Sequence, residues 1–147
     1  SVYIVDGGDL DTWLETVVTG FTSPDDQGVP PHESFSREIL ERVLGQMARA
    51  DGMVQYLARR EGEPAGGGSL HVGGGVAHLC GASTVPEHRR RGVQGALLRR
   101  RIAHAAESGC EVVVVTTTPG STSQKNVQKL GFHLLYARAI LMKETAG

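Results

Sequence analysis

Ala82-Ser-Thr-Val-Pro-Glu-His-Arg-Arg-Arg-Gly-Val-Gln-Gly-Ala-Leu-Leu98 reads in three steps. A strand ends at Val85, Pro86 turns the chain, and Arg89, Arg90 and Arg91 lead through Gly92 into a helix. Leu98, Ile102, Ala105 and Ala106 form an apolar stripe on that helix, with Arg99, Arg100 and Glu107 off it. The spacing predicts a helix packed on a sheet with a charged outer side. A helix start leaves backbone N–H groups unpaired, and their partial positive charge favours an anion. Gly92 has no Cβ, so a bulky phosphate can approach the main chain closely. The neighbouring arginines add charge and forked donors suited to phosphate oxygens. Strand, turn and helix together describe a pyrophosphate cradle. An arginine triplet also fits a solvated surface run or a weak nucleic-acid contact. The second of these gains no support, because the three Phe, three Tyr and single Trp are not interleaved with the basic run.

Working outward toward the N-terminus, Val76 to Val85 reads as a strand. Ala65 to Val72 and Met53 to Arg60 read as two more, separated by turns at Gly73 to Gly75 and Glu61 to Pro64. The triplets Gly66–Gly68 and Gly73–Gly75 read as hairpin glycines, since no helix and no Lys follow as a phosphate loop requires. Phe35, Ile39, Val43 and Met47 recur every four residues and predict a helix ending at Asp51-Gly52. Thr22 to His32, with Pro24, Gly28, Pro30 and Pro31, is a loop. Leu10, Trp13, Leu14, Val17, Val18 and Phe21 share one helical face, with Asp9 as its cap and Gly20 near its end. Val2 to Val5 opens the chain as a short strand.

Toward the C-terminus, Glu111 to Thr117 is a β-branched strand, and Ser121 to Leu130 a short helix. Ser121 with Gln124 three residues on forms a capping-box pattern. Phe132 to Met142 is the closing strand. The whole is an α+β arrangement in one domain, residues 1–147: a mixed, mostly antiparallel sheet flanked by helices, ordered β-α-α-β-β-β-α-β-α-β.

Composition sets bounds on function. With 39% hydrophobic and 21% charged residues, the chain is globular rather than disordered. Cys80 and Cys110 lie in apolar stretches and read as buried thiols of a reducing compartment, with no metal-ligand spacing. The longest aliphatic run, Val112 to Val115, is too short to span a bilayer, and no secretory leader is visible. A cytoplasmic protein without membrane or nucleic-acid partners is expected. The net charge of -1 hides an asymmetry. Nine acids and one base up to Glu41 give -8, whereas the remaining 14 bases and seven acids give +7. Such a chain can draw a cation to one end and an anion to the other, though a solvated acidic helix surface explains the first half equally.

The arginine-glycine run resembles the coenzyme A-binding signature of the GNAT superfamily of N-acetyltransferases, (Gln/Arg)-x-x-Gly-x-(Gly/Ala). Arg89-Arg90-Arg91-Gly92-Val93-Gln94 occupies those places, with Gln94 departing from the last one and Gly95 following it. Glu111 to Thr117 is similar to the family's strand after the signature helix. Pro119-Gly-Ser-Thr-Ser-Gln-Lys-Asn126 and Lys129-Leu-Gly-Phe132 resemble its Asn-containing helix. The resemblance is specific over Val76 to Met142 and rests on element order before that.

It implies a GNAT-like fold with acetyl-CoA as cosubstrate. The backbone of Ser83, Thr84 and Val85 would pair with the pantetheine arm like an added strand. The backbone of Arg89, Arg90, Arg91, Gly92, Val93, Gln94, Gly95 and Ala96 would hold the pyrophosphate. Asn126 would contact the coenzyme near its pantetheine arm, and the two central strands would splay near Ala82 and Thr116. The implied reaction is direct attack of a neutral primary amine on the acetyl carbonyl, with an oxyanion contact from a backbone N–H near Val85. Many relatives carry a Tyr acid five residues before the Phe of Gly-Phe, where this chain has Val127. The acid then falls to Tyr136, Ser123 or a water, or the thiolate leaves unassisted. Glu33, His71 and His78 are candidate bases, each equally readable as a surface or core residue, and the base stays unassigned. The acidic first helices imply a cationic small molecule or peptide as acceptor. The alternatives are an acyl-CoA-binding module without catalysis, or one half of a larger two-domain protein. The closing strand also offers an edge for a homodimer.

Overall fold

Residues 1–25, 35–141 and 143 are described by a computed structural model. Apolar alternation and helical periodicity become strands β1 (Val2–Ile4), β2 (Met53–Arg60), β3 (Glu63–Gly73), β4 (Val76–Thr84) and β5 (Val112–Val115). The helices are α1 (Leu10–Thr22), α2 (Arg37–Ala48), α3 (Val93–Glu107) and α4 (Thr122–Lys129), with a 3-10 turn over Pro86–His88. The sheet runs β1-β2-β3-β4-β5. All neighbours are antiparallel except β4 and β5, which α3 joins as a parallel pair.

Each face of the sheet buries its own core. Leu57 joins Trp13, Val17 and Val18 of α1 and Leu44 of α2 on one side. Tyr56, one residue earlier and so pointing the other way, joins Leu70, Ala77, Leu79 and the α3 residues Leu97, Leu98 and Ala105. Gly66, Gly67 and Gly68 let both helices come close. A Cβ at Gly67 would stand 2.6 Å from Val17 Cγ2 on the α1 side, and one at Gly66 2.9 Å from Val93 Cγ1 on the α3 side. These three lie inside β3, as expected of the strand Ala65 to Val72, and the turn to β4 has Gly74 at φ +60° and Gly75 at φ +77°.

Other expectations change. Asp9 makes no side-chain cap on α1. Its carboxylate accepts from Tyr3 Oη at 3.1 Å and faces Arg59 at 3.6 Å, which holds β1 and β2 to the helix start. The row Phe35, Ile39, Val43 and Met47, of which Phe35 precedes α2, is the exposed one. Leu44 carries the packing, aided by Leu40 and Ala48, one residue round the helix. On α3, Leu97 and Arg101 are buried while Ala106 is exposed. Ser121 caps α4 by accepting from Gln124 N at 3.1 Å, but Gln124 Oε1 accepts from Gly120 N instead of closing the box. Both cysteines are free and half-buried rather than fully buried. The closing strand over Phe132–Met142 is not formed: 132–141 are irregular, and residue 142 lies outside the described residues. Leu134, Leu135, Tyr136, Ile140 and Leu141 of that segment stand in solvent, and among the described residues no strand pairs with it.

Candidate functional site: an anion cradle beside two parting strands

β4 and β5 pair from Val76↔Val112 to Leu79↔Val115 and then separate. From Cys80 to Thr84, β4 keeps β3 as its only strand neighbour among the described residues. The parting begins at Cys80 and Thr116, two residues earlier on β4 than the Ala82 expected. A register shift accompanies it. Gly67 faces Ser83 and Ser69 faces Cys80, so Gly81 and Ala82 bulge opposite Gly68. Gly81 sits at φ +55°, a conformation that favours glycine. α2 lies above it, with Leu44 Cδ2 3.8 Å from where a Gly81 Cβ would stand.

Arg101 sits below the same bulge. It is 2% exposed, and its guanidinium donates to Ser69 O at 3.0 Å, Cys80 O at 3.4 Å and Leu97 O at 3.2 Å. The two strand carbonyls flank the register shift, so this side chain pairs polar groups that the bulge disturbs. Gly68 makes room for it, since a Cβ there would stand 3.0 Å from Arg101 Cζ. Burial pulls the Arg101 pKa down to about 10. Burial likewise pushes Tyr56 up to about 12 and raises the Cys80 thiol. Tyr56 Oη shares a hydrogen bond with His104 Nδ1 on α3. Sequence reading missed Arg101. Its signal was faint: a cation at the i+4 position from Leu97, on the helical face that the stripe required to be apolar.

Beyond the bulge, the loop after Pro86–His88 is tied down from several sides. Arg89 Nε donates to Thr84 O at 3.2 Å. Its Nη2 donates to Gly20 O at 3.1 Å and to Ser23 O. The Arg89 side chain thus caps the end of α1 rather than pointing to a ligand. Arg90, at φ +58°, pairs with Asp25 at 3.4 Å, and Arg91 is exposed. Gly92 adopts φ +82° at the N-cap of α3, and nothing lies within 4 Å of its Cβ position. No side chain caps this helix start. Ala96 N makes the first helical bond, to Gly92 O at 3.0 Å, so the amides of Val93, Gln94 and Gly95 precede the intrahelical ladder. Gln94, the departure from the signature, donates through Nε2 to Thr84 Oγ1 at 2.8 Å and fixes the helix start to the strand end.

Ser83 Oγ donates to Val17 O at 2.7 Å, which locks α1 onto β4. The Val85 amide donates to Ala65 O at 3.0 Å, toward β3. Strand alternation turns the amide of Thr84 the other way, to the edge that β5 has left. Asn126 is half-buried on α4. Ser123 is exposed on the same helix, and Tyr136 is 73% exposed on the irregular segment. His71 and His78 face each other across β3 and β4, both exposed. Glu33 lies outside the described residues. Among the described residues no group of His, Cys, Asp or Glu is arranged to hold a metal, and no helix is long and apolar enough to cross a membrane. A shallow groove of about 620 Å³ lies beside Val85–His88, walled by Asp11, Glu15, Glu63 and Glu87.

A mixed sheet whose parallel pair parts beside an uncapped, arginine-flanked helix start offers a strand edge and an anion site to one extended, phosphate-bearing ligand. The model of the acetyltransferase (GNAT) family matches residues 17–132, and the chain belongs to that family. No curated protein matches the sequence. Among solved structures, the chain is similar to AAC(6')-Iy in complex with the bisubstrate analogue CoA-S-monomethyl-acetylneamine: 20% identity, TM-score 0.70, covering 99% of this chain and 98% of that one. It is similar to an acetyltransferase of Trypanosoma brucei, with 20% identity, TM-score 0.68 and coverage of 97% and 99%. It also resembles the aminoglycoside antibiotic 6'-N-acetyltransferase AAC(6')-IG of Acinetobacter haemolyticus, at 18% identity and TM-score 0.69 over 99% of both chains.

Proposed function

We propose that this chain transfers an acetyl group from acetyl-CoA to a primary amine on a cationic small molecule or peptide, by direct attack in a ternary complex. The observation that carries the reading is the opening of β4 from β5 next to the uncapped start of α3. The residues suit the cosubstrate: three helix-start amides, open space over Gly92 and the exposed Arg91 match a pyrophosphate. The unpaired edge of β4 at Ser83–Val85 matches an extended amide-bearing arm, and Asn126 supplies a side-chain amide for the same arm. When bound, acetyl-CoA supplies an activated thioester carbonyl. The chain's own part is to orient it and exclude water. The Thr84 amide is the donor best aimed at a developing oxyanion, since the Val85 amide is already paired with Ala65 O.

Ser123 and Tyr136 are both exposed, so neither is held as an acid by packing within one chain. Proximity then provides most of the rate. For the acceptor, Asp11, Glu15, Glu63 and Glu87 provide negative charge beside Val85–His88. Phe35 and the α2 residues Ile39, Val43 and Met47 offer exposed apolar surface, and together these favour a cationic amine with an apolar face. Two free cysteines agree with a reducing, cytoplasmic setting.

Calorimetric titration with acetyl-CoA, followed by thiol release across an amine panel, tests the proposal. Saturable binding with amine-dependent thiol release is expected, cationic acceptors leading. Binding without turnover on any amine would assign the chain to acyl-CoA binding without catalysis, alone or as half of a larger protein. Absence of binding would remove the cradle.

A further inference from the structure

Arg101 is the only charged side chain buried among the described residues, and the proposed transfer gives it no task. It stands on α3 among Leu97, Leu98 and Ala105, where packing alone asks for an aliphatic side chain. Burial disfavours its charge, and the groups that meet it are carbonyls rather than a carboxylate. What an arginine supplies here, and a leucine or methionine does not, is donors.

Those donors go to one place. Nη1 reaches Ser69 O on β3 and Cys80 O on β4, at 3.0 and 3.4 Å, while Nε turns back to Leu97 O. Ser69 and Cys80 are the last partners before the strands lose step. From there β3 takes two residues to reach Gly67, and β4 takes three to reach Ser83. The space below the shift is shaped to the guanidinium. A Cβ on Gly68 would stand 3.0 Å from Arg101 Cζ and 3.2 Å from Ala82 Cβ. The extra residue of β4 also decides which amides face the open edge. Val85 N bonds to Ala65 O on β3, so alternation turns the Thr84 amide to the side that β5 has left. A strand without the extra residue has the opposite alternation, and Thr84 N would then point at β3.

We propose that Arg101 is a positioning residue: by clasping Ser69 O and Cys80 O it holds the register shift of β4, and through it the Thr84 amide beside the thioester. This role rests on the proposed acetyl transfer. Arg101 acts through the backbone of β4, whereas the phosphates meet the start of α3. It therefore governs turnover more than affinity.

Arg101→Met and Arg101→Lys, with Leu57→Ala on the opposite face of the sheet as control, separate positioning from stability. Arg101→Met should bind acetyl-CoA within about threefold of the wild type by calorimetry, while kcat falls about 100-fold, as for reacting groups misplaced by ~1 Å. In the ligand-free chain the amides of Gly81, Ala82 and Thr84 should exchange faster. Lysine keeps the charge but lacks the fork that spans two carbonyls, so Arg101→Lys should recover only part of kcat. Leu57→Ala should lower the urea midpoint yet keep kcat within about twofold, being far from the shift. Wild-type kcat in Arg101→Met overturns the role and leaves the proposed transfer standing. So does a loss of kcat that Leu57→Ala reproduces at equal folded fraction. Where Arg101→Met does not fold, Arg101→Lys decides, and a wild-type kcat in it overturns the role. A wild-type chain that binds no acetyl-CoA, or never turns it over, overturns the transfer and this role together.

Discussion

Arg101 carries a full charge where no solvent reaches it, and the groups facing it are carbonyl dipoles rather than a carboxylate. Its pKa of about 10 lies below the ordinary 12.5, so folding disfavours its charged form. That cost is full below pH ~10 and fades as pH rises toward the unfolded value, so this group makes stability rise with pH there. Tyr56 acts oppositely. Its pKa of about 12 against an ordinary 10 means that folding protects the neutral phenol, and stability falls as pH rises from about 10 to 12. The two slopes oppose each other in the intact chain. Arg101→Met removes only the rising one. Urea midpoints should therefore show the wild type gaining about 2 kcal/mol on the variant between about pH 9 and 11.5. A gap that does not move with pH would mean that Arg101 is not charged and buried as described. Gly20 is a second constraint at this scale. A Cβ there would stand 2.4 Å from Ser83 Oγ and 3.0 Å from Thr84 O. Gly20→Ala should cost about 1–3 kcal/mol by overpacking, read as a lowered denaturation midpoint.

Between elements, Arg89 and Arg91 divide the labour of the arginine run. Arg89 binds Gly20 O, Ser23 O and Thr84 O, joining the end of α1 to the end of β4. Arg89→Ala leaves those carbonyls without their cation and should destabilise the fold by about 2–4 kcal/mol, with acetyl-CoA affinity falling as a consequence. Arg91 is exposed. Arg91→Ala should leave the unfolding midpoint within ~0.5 kcal/mol while still weakening acetyl-CoA binding, which calorimetry reads separately. Equal effects of both variants on stability would contradict this division. The signature gives Arg89 a fixed place and Arg91 an open one, but nothing in it shows that the Arg89 side chain turns back to the end of α1, and this marks the limit of reading by motif. α3 was legible at both ends because its signals are local: a glycine before it and an apolar stripe along it. The strand order was legible for the same reason, through alternation and turns. What stayed hidden depends on partners distant in sequence. The glycines of β3 are set by Val17 and Val93 on either face, the exposed row of α2 by a rotation of one residue, and the bulge at Gly81–Ala82 by register with Gly68. The segment after Phe132 has the composition of a strand but no strand partner among the described residues.

Across the whole molecule, the opposed charges of the two halves bear on both proposed substrates. The first part of the chain, up to Glu41, carries -8 and the remainder +7. Where Glu15 and Glu41 come together, Arg37 bridges both, at 2.6 and 3.0 Å, so one cation serves two carboxylates and the surface stays negative. At the other end, the start of α3 adds helix-dipole charge to Arg90 and Arg91. On the proposed reading, a polyanionic cosubstrate and a cationic acceptor would be drawn to different parts of one surface. Both attractions are screened by salt, since the Debye length falls from about 10 Å at 0.1 M to about 3 Å at 1 M. Raising salt from about 0.05 to 0.5 M should therefore raise KM several-fold for acetyl-CoA and, independently, for a cationic acceptor. With a neutral acceptor at saturating acetyl-CoA, KM should hardly move. The comparison separates the two halves, because the acetyl-CoA effect is common to every acceptor and the acceptor effect is not. If the neutral amine shows the same salt dependence as the cationic one, the acidic half is a solvated surface and takes no part in choosing the acceptor.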